Sequence, residues 1–346
     1  MKKIIFILVF FELIGANALE HFEQHGDFSG MAVVKQKPSS QKDMLFFKLP
    51  ESRWDVGYWL DDQVSGQFEV IFAKTRIPVG ERWTLQMERS YLDYKDILSG
   101  GYFAQFGLLP QEWSQWEEKF WPYRSTTEYS EPLMSRYGYL NRSDAGLKFG
   151  QTMSNETRWI VAYTNGEGSA ADETGPKKDL QIFFESVWGQ IHFAASWLAG
   201  AYDNVDASVA NKERTLVGIY YEQELGFLGG LSFFSAKDAV DAINQKIADQ
   251  VDLTAQGGQN LSSQGASLVA RYRTSPKFEI FSRYDVLNPA VGVDAKGLRQ
   301  TLLGFGFFPR QHLQFSLAWG DVQYEQNHAS AVRDASQVAF VSRLKW

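Results

Sequence analysis

Cysteine is absent from the 346 residues, which rules out a disulfide framework and any thiolate-ligated metal. A basic excess is missing as well: Lys and Arg total 34 against 41 Asp and Glu, for a formal charge of −7. Nucleic-acid binding calls for a basic patch or stripe, so no nucleic-acid partner is expected. No Pro-, Gly- or Ser-rich linker interrupts the chain, and it reads as one domain. Spacing for an EF-hand is lacking too, so the aspartates in NGEGSAADETG and YDNVD read as solvated loops rather than a metal site. His192 and Ser196 share a strand face, as do His312 and Ser316. Residues four apart on a strand are roughly 13 Å from each other, too far for a histidine to activate a hydroxyl. Neither catalysis nor a cofactor is expected.

What is present begins at the N-terminus. Lys2 and Lys3 precede the apolar run IIFILVFFELIG, and Ala16, Asn17 and Ala18 supply a small-x-small cleavage site, so residues 1–18 read as a secretory signal peptide. A run of about twelve residues is well short of the ~20 that a membrane-spanning helix needs, so it is not an anchor by length. The mature domain is then 19–346, and losing Lys2, Lys3 and Glu12 leaves it more acidic than before. Aromatic residues make up 15% of the chain although mean hydropathy is −0.30. Many large rings on a polar average suit a transmembrane barrel, with an apolar lipid face, a polar lumen and aromatic girdles at both interfaces.

Period-two alternation supports that architecture. GDFSGMAVVKQ reads as a first strand, and the second is placed at Trp54 to Leu60, with Met44 to Leu49 as a rival. QFEVIFAKT, ERWTLQMERSYLDYK and GYFAQFG follow; eleven more segments from DAGLKFGQ to SQVAFVSRLKW bring the total to about sixteen strands. Connections alternate between tight turns (MSNE, WG, ELGF, TSP, PRQ) and long loops, as in an outer-membrane barrel with short periplasmic turns and longer external loops. A soluble sandwich also has many short strands, but it does not predict this two-sided asymmetry.

Faces can be assigned where the pattern is clean. Val338, Phe340, Ser342 and Leu344 oppose Gln337, Ala339, Val341 and Arg343; Leu313, Phe315, Leu317 and Trp319 oppose Gln314, Ser316 and Ala318; Phe278, Ile280 and Tyr284 oppose Glu279, Arg283 and Asp285. An Arg facing lipid at mid-depth costs about 2–4 kcal/mol, so the charged faces must point into the lumen. Trp159, Tyr163, Trp197, Tyr272, Tyr284, Trp319 and Trp346 fall near strand ends, where a girdle would place them. In DAVDAINQKIADQVD, Val240, Ile243, Ile247 and Val251 recur at helical spacing behind Asp238 as an N-cap, which predicts a short helix in an external loop.

One stretch has no clear strand, from about 108 to 143. QEWSQWEEKFWPYRSTTEYSEPLMSRYGYLN is far longer than the usual connection and too aromatic to be disordered. It is expected to fold into the barrel and constrict it. Charges at the narrowest ring bias ion choice, and the candidates in the loop are Glu117, Glu118, Lys119, Arg124 and Arg136. A competing reading has these residues pairing with one another or with the wall, merely holding the loop. Candidates on the wall are Lys148, Arg158, Arg271, Arg273, Arg283 and Arg343, with Glu185, Glu222 and Glu279 as counter-charges. Its positive balance points to weak anion preference; the loop's five glutamates against three basic residues oppose it, and a balanced lumen stays open as the other reading.

The run ERSYLDYKDILSGGYFAQFGLLPQEW resembles the segment of phosphate-selective porins of the O and P type in which a strand ending at Pro opens the inward-folded third loop. SDAGLKFGQ and IVAYTNGEG look like the family's next strands, and FVSRLKW is similar to the aromatic-ended last strand of outer-membrane proteins. The resemblance implies an all-β, sixteen-stranded antiparallel barrel in the outer membrane, contacting lipid, assembling as a homotrimer and passing small ions and solutes. The acidic balance of the loop departs from the family's basic constriction and argues against phosphate specificity. The alternative left by the residues alone is a secreted or surface β-protein with a binding, adhesion or structural role.

Overall fold

The computed structural model describes residues 22–36, 44–48, 51–77, 80–124, 126–127, 129–153, 156–166, 168, 175–202, 211–223, 225–239, 260–292, 297–325 and 335–345. Residues 1–18, Trp346 and the helix expected beyond Val240 lie outside them. Among the described residues no helix is long and apolar enough to cross a membrane, which leaves a β-barrel open.

The chain is built from strands β1 (Phe22–Gln36), β2 (Met44–Lys48), β3 (Glu51–Trp59), β4 (Val64–Ile77), β5 (Gly80–Lys95), β6 (Tyr102–Pro110), β7 (Ser143–Thr152), β8 (Arg158–Thr164) and β9 (Asp179–Trp188). There follow β10 (Ile191–Ala201), β11 (Asn211–Glu222), β12 (Phe227–Ala239), β13 (Asn260–Ser275), β14 (Phe278–Asn288), β15 (Leu298–Arg310), β16 (Leu313–Tyr324) and β17 (Ala335–Lys345). From β3 to β17 each strand pairs antiparallel with the next, and β1 pairs with β17 through a register running from Asp27↔Lys345 to Gln36↔Ser336. On its other side β1 pairs with both β2 and β3. The two rival positions for the second strand are therefore two halves of one stave, with Pro50 between them in sequence. Seventeen segments thus make sixteen staves, and the ring of pairings returns to its start.

The alternation decides which way each side chain points. On β14, Phe278, Ile280 and Tyr284 are exposed while Glu279, Arg283 and Asp285 are buried. On β16 and β17, Leu317, Trp319, Val338, Phe340 and Leu344 face out, and Gln314, Ser316, Ala318, Gln337 and Ala339 face in. Tyr163, Trp197 and Tyr272 are exposed on the outer surface. A row of phenyl rings also runs there from Phe278 through Phe307 and Phe315 to Phe340, with centroids 4.9, 6.4 and 6.0 Å apart. Asp238 lies on β12, one residue before its end, with its carboxylate 2.6 Å from Arg214, and the helix it was expected to cap lies outside the described residues.

Candidate functional site: the inward-folded loop and its wall

Between β6 and β7 the chain forms helix α1 (Glu112–Phe120) and a single helical turn α2 (Leu133–Arg136). α1 starts where the Gln111 side chain accepts the Ser114 N–H at 2.8 Å, and Pro122 follows just beyond its end. Trp113, Trp116, Glu117 and Phe120 recur at i, i+3, i+4 and i+7, so they share one face, and all four are buried. Glu118 and Lys119 lie off that face, at 22% and 52% side-chain exposure.

The buried face is laid against the inside of the barrel. Trp116 meets Tyr220 on β11 edge-on at 5.1 Å, Phe120 stacks on Tyr220 at 4.4 Å, and Tyr123 stacks on Phe281 of β14 at 3.6 Å. Glycines on the wall make these approaches possible. A Cβ on Gly218 would stand 2.7 Å from the Trp116 ring, and one on Gly306 2.7 Å from the Tyr123 hydroxyl. The molecule's main apolar core is this packing inside the barrel, between loop and wall.

Wall arginines fasten the loop by its backbone and its carboxylates. Arg271 Nη1 donates to the Phe120 carbonyl (2.9 Å), Arg343 Nη1 to the Pro122 carbonyl (2.8 Å) and Arg214 Nε to the Tyr139 carbonyl (3.0 Å). Arg283 lies 3.2 Å from Glu117 and 2.9 Å from Asp285. Lys148 contacts Glu112, which is also 3.2 Å from Arg158; Arg158 and Lys119 each reach Glu185 at 3.0 Å. The Tyr123 hydroxyl donates to Glu279 (2.7 Å), which also holds Arg271 at 2.8 Å and Arg273 at 3.0 Å. Arg136 lies over the Tyr129 ring at 4.7 Å and Arg124 contacts Glu118. Of the sequence-predicted residues, then, Glu117, Lys148, Arg271, Arg283 and Arg343 meet at the loop–wall seam. Glu118, Lys119, Arg158 and Arg273 keep part of their side chains exposed, while Arg124 is largely covered beside Glu118.

Burial acts to raise all three carboxyls of α1, and their partners decide the outcome. For Glu112 the Lys148 ammonium and Arg158 guanidinium outweigh burial and hold it below the usual carboxylate range. For Glu118 the guanidiniums of Arg124, Arg53, Arg142 and Arg89 do the same. Glu117 is pushed up, because burial prevails over an Arg283 that is shared with Asp285.

The strands β3 to β5 carry a second charged group. Glu69, itself buried, bridges Arg53 at 3.2 Å and Arg89 at 3.1 Å. Beside it the Gln67 side chain donates to Asp55 (2.6 Å) and accepts from the Tyr91 hydroxyl (2.6 Å), and Arg142, at the loop's end, reaches Glu131 at 2.9 Å. Sequence reasoning did not single out Arg53, Arg89 or Arg142. The signal was available for the first two, since Arg53 shares the period-two face of Asp55, and Arg89 that of Tyr91 and Asp93.

The architecture has close counterparts among solved structures. The outer membrane channel DcaP of Acinetobacter baumannii matches with a TM-score of 0.64 at 12% identity, over 94% of this chain and 97% of that one. An anion-selective porin from Comamonas acidovorans gives 0.62 at 11% identity, over 94% and 99%. In-vitro folded OmpT of Vibrio cholerae, in its trimer form, gives 0.61 at 13% identity, over 94% and 99%. At these identities the likeness is one of fold. No curated protein matches the chain in sequence. Residues 146–346 match the family model for phosphate-selective porin O and P, and the chain belongs to that family of outer-membrane channels.

Proposed function

We propose that this porin is a non-catalytic, weakly anion-preferring diffusion pore, acting as a homotrimer, whose eyelet runs between the loop and the β3–β5 wall. The observation that carries the reading is an asymmetry of filling. Aromatic side chains of the loop join a core with the inner faces of β8 to β16, while Arg53, Arg89 and Arg142 keep partial exposure on the other side. Fixed charge beside an aqueous path biases ion choice; the four arginines Arg53, Arg89, Arg124 and Arg142 are matched by Asp55, Glu69, Glu118 and Glu131, and Lys119, at 52% side-chain exposure, adds a cation on the loop, so the bias in this reading is weak. The wall residues Lys148, Arg271 and Arg283 have a different part in this reading: they hold the loop.

Reconstitution in a planar bilayer under a potassium chloride gradient tests it. Stable conductance steps with a reversal potential displaced toward that of chloride are expected; displacement toward potassium overturns the anion preference. The trimeric OmpT form supports the assembly state by analogy of fold, and a detergent-corrected mass of one protomer overturns that part.

A further inference from the structure

The connections on the short-turn side of the barrel change sign of charge around its rim. Asp61 and Asp62 lie between β3 and β4, Asp96 between β5 and β6, and Glu156 between β7 and β8. On the same end, Lys277 lies between β13 and β14, and Arg310 closes β15 ahead of the turn into β16. Both are exposed, and neither side chain has an ion-pair or hydrogen-bond partner among the described residues. The Lys277 carbonyl accepts the Phe308 N–H at 2.8 Å, two residues before Arg310, which sets the two Cα atoms about 8 Å apart at ordinary strand spacing and rise. Two side chains of that length can close on one anion. Next to them on the outer surface, the Phe278 ring stacks on Phe307 at 4.9 Å and on Phe305 at 5.6 Å, and the row continues to Phe315 and Phe340. A second aromatic cluster at this end, Tyr102, Phe149 and Trp159, adjoins the turns that hold Asp96 and Glu156 instead.

We propose that the arc from β13 to β16 is a docking site for an anionic phospholipid of the leaflet at the short-turn end. Its phosphodiester lies between Lys277 and Arg310, and its chains lie along the phenyl row. Charge complementarity selects this occupant. A guanidinium and an ammonium together suit a phosphate oxygen pair, whereas a zwitterionic lipid brings its own ammonium and gains less from them. A soluble anion would satisfy the cations but has nothing to place on the rings. The acidic turns beside Tyr102 and Trp159 repel the same headgroup, so one arc of the rim is marked out although rings occur on both. The site is on the outer wall and is independent of the ion preference of the lumen.

The test titrates the refolded protein, in nonionic detergent, with dioleoyl phosphatidylglycerol or dioleoyl phosphatidylcholine and counts the lipids retained per protomer by native mass spectrometry. Preferential retention of phosphatidylglycerol is expected. Lys277→Gln should weaken that retention about fivefold, the order that one basic residue contributes near an anionic surface, and Lys277→Gln combined with Arg310→Gln about twenty-five-fold. Glu156→Gln, beside the other aromatic cluster, should leave it unchanged. Equal retention of the two lipids overturns the proposal, as does a doubly substituted protein that binds like wild type. Displacement of the lipid by glycerol 3-phosphate would assign the two cations to a soluble anion and overturn the lipid site. A change of oligomeric mass on double substitution would assign the arc to a contact between copies of this chain, with the same consequence. Heat-modifiable gel mobility shows that each variant is folded; should the double variant fail to refold, Lys277→Gln alone decides, an unchanged retention overturning the proposal.

Discussion

Arg283 shows how a single side chain holds two elements together. Its guanidinium is fully buried between Asp285, two residues along the same strand, and Glu117 of the loop helix. Arg283→Met leaves two buried carboxylates without their cation, and breaking such a pair by one partner costs about 3–5 kcal/mol. A matching loss is expected in the urea unfolding free energy of the refolded barrel, together with noisier open-channel current. The loop carboxylates also set a pH response. Glu112 and Glu118 have lowered folded values, so their contribution is complete above the ordinary glutamate range and is lost as pH falls through the folded values beneath that range. Glu117 is raised and acts in the opposite sense: its contribution is greatest where it is protonated and falls as pH rises through its folded value. Loop docking is therefore expected to persist from neutral to mildly acidic pH and to fail in strong acid, read as a conductance change on titration. Which residues carry charge on inward faces was legible from alternation. Which charges meet was not, because Arg283 and Glu117 are 166 positions apart and only folding the loop inward joins them.

At the scale of elements, α1 illustrates a pattern present in the sequence but overlooked. Trp113, Trp116, Glu117 and Phe120 have helical spacing, with Gln111 before and Pro122 after. A reading dominated by strands took the stretch as irregular. The berth for that helix could not be read at all, since Gly218 is one glycine among 29 until Trp116 is seen lying over it. Gly218→Val should leave the β11 ladder in place while displacing the helix. The expected outcome is an unchanged strand signal in far-ultraviolet circular dichroism with a changed unit conductance; identical conductance would show that the loop does not depend on that contact. The split of the second stave into β2 and β3 is a case where both candidate positions were visible and the physics lay in the pairing, for both halves align on β1.

For the whole molecule, the barrel wall and the loop are separate contributions to stability. Strands pair with neighbours around the ring, whereas the loop contributes an apolar core inside it. Replacing residues 112–141 by a short Gly-Ser linker should leave a barrel that still inserts in bilayers and conducts with larger unit steps. Its thermal transition should fall, because Trp113, Trp116 and Trp121 lose their burial and truncating a buried tryptophan alone costs about 3–5 kcal/mol. A deletion variant with wild-type conductance would place the constriction elsewhere.

The sequence by itself determined the wall: alternation of period two, bounded by turn residues, dictates strands, and the cost of a charge facing lipid dictates which face turns inward. It also marked the loop, as the one long aromatic stretch between two clean strands. Only the tertiary structure decided what the charged residues are for. Local pattern orients a side chain relative to its own strand, but a guanidinium inside a barrel can meet water, a wall carboxylate or a loop carbonyl, depending on where thirty residues of distant chain come to rest. Most of the wall arginines rest against that loop.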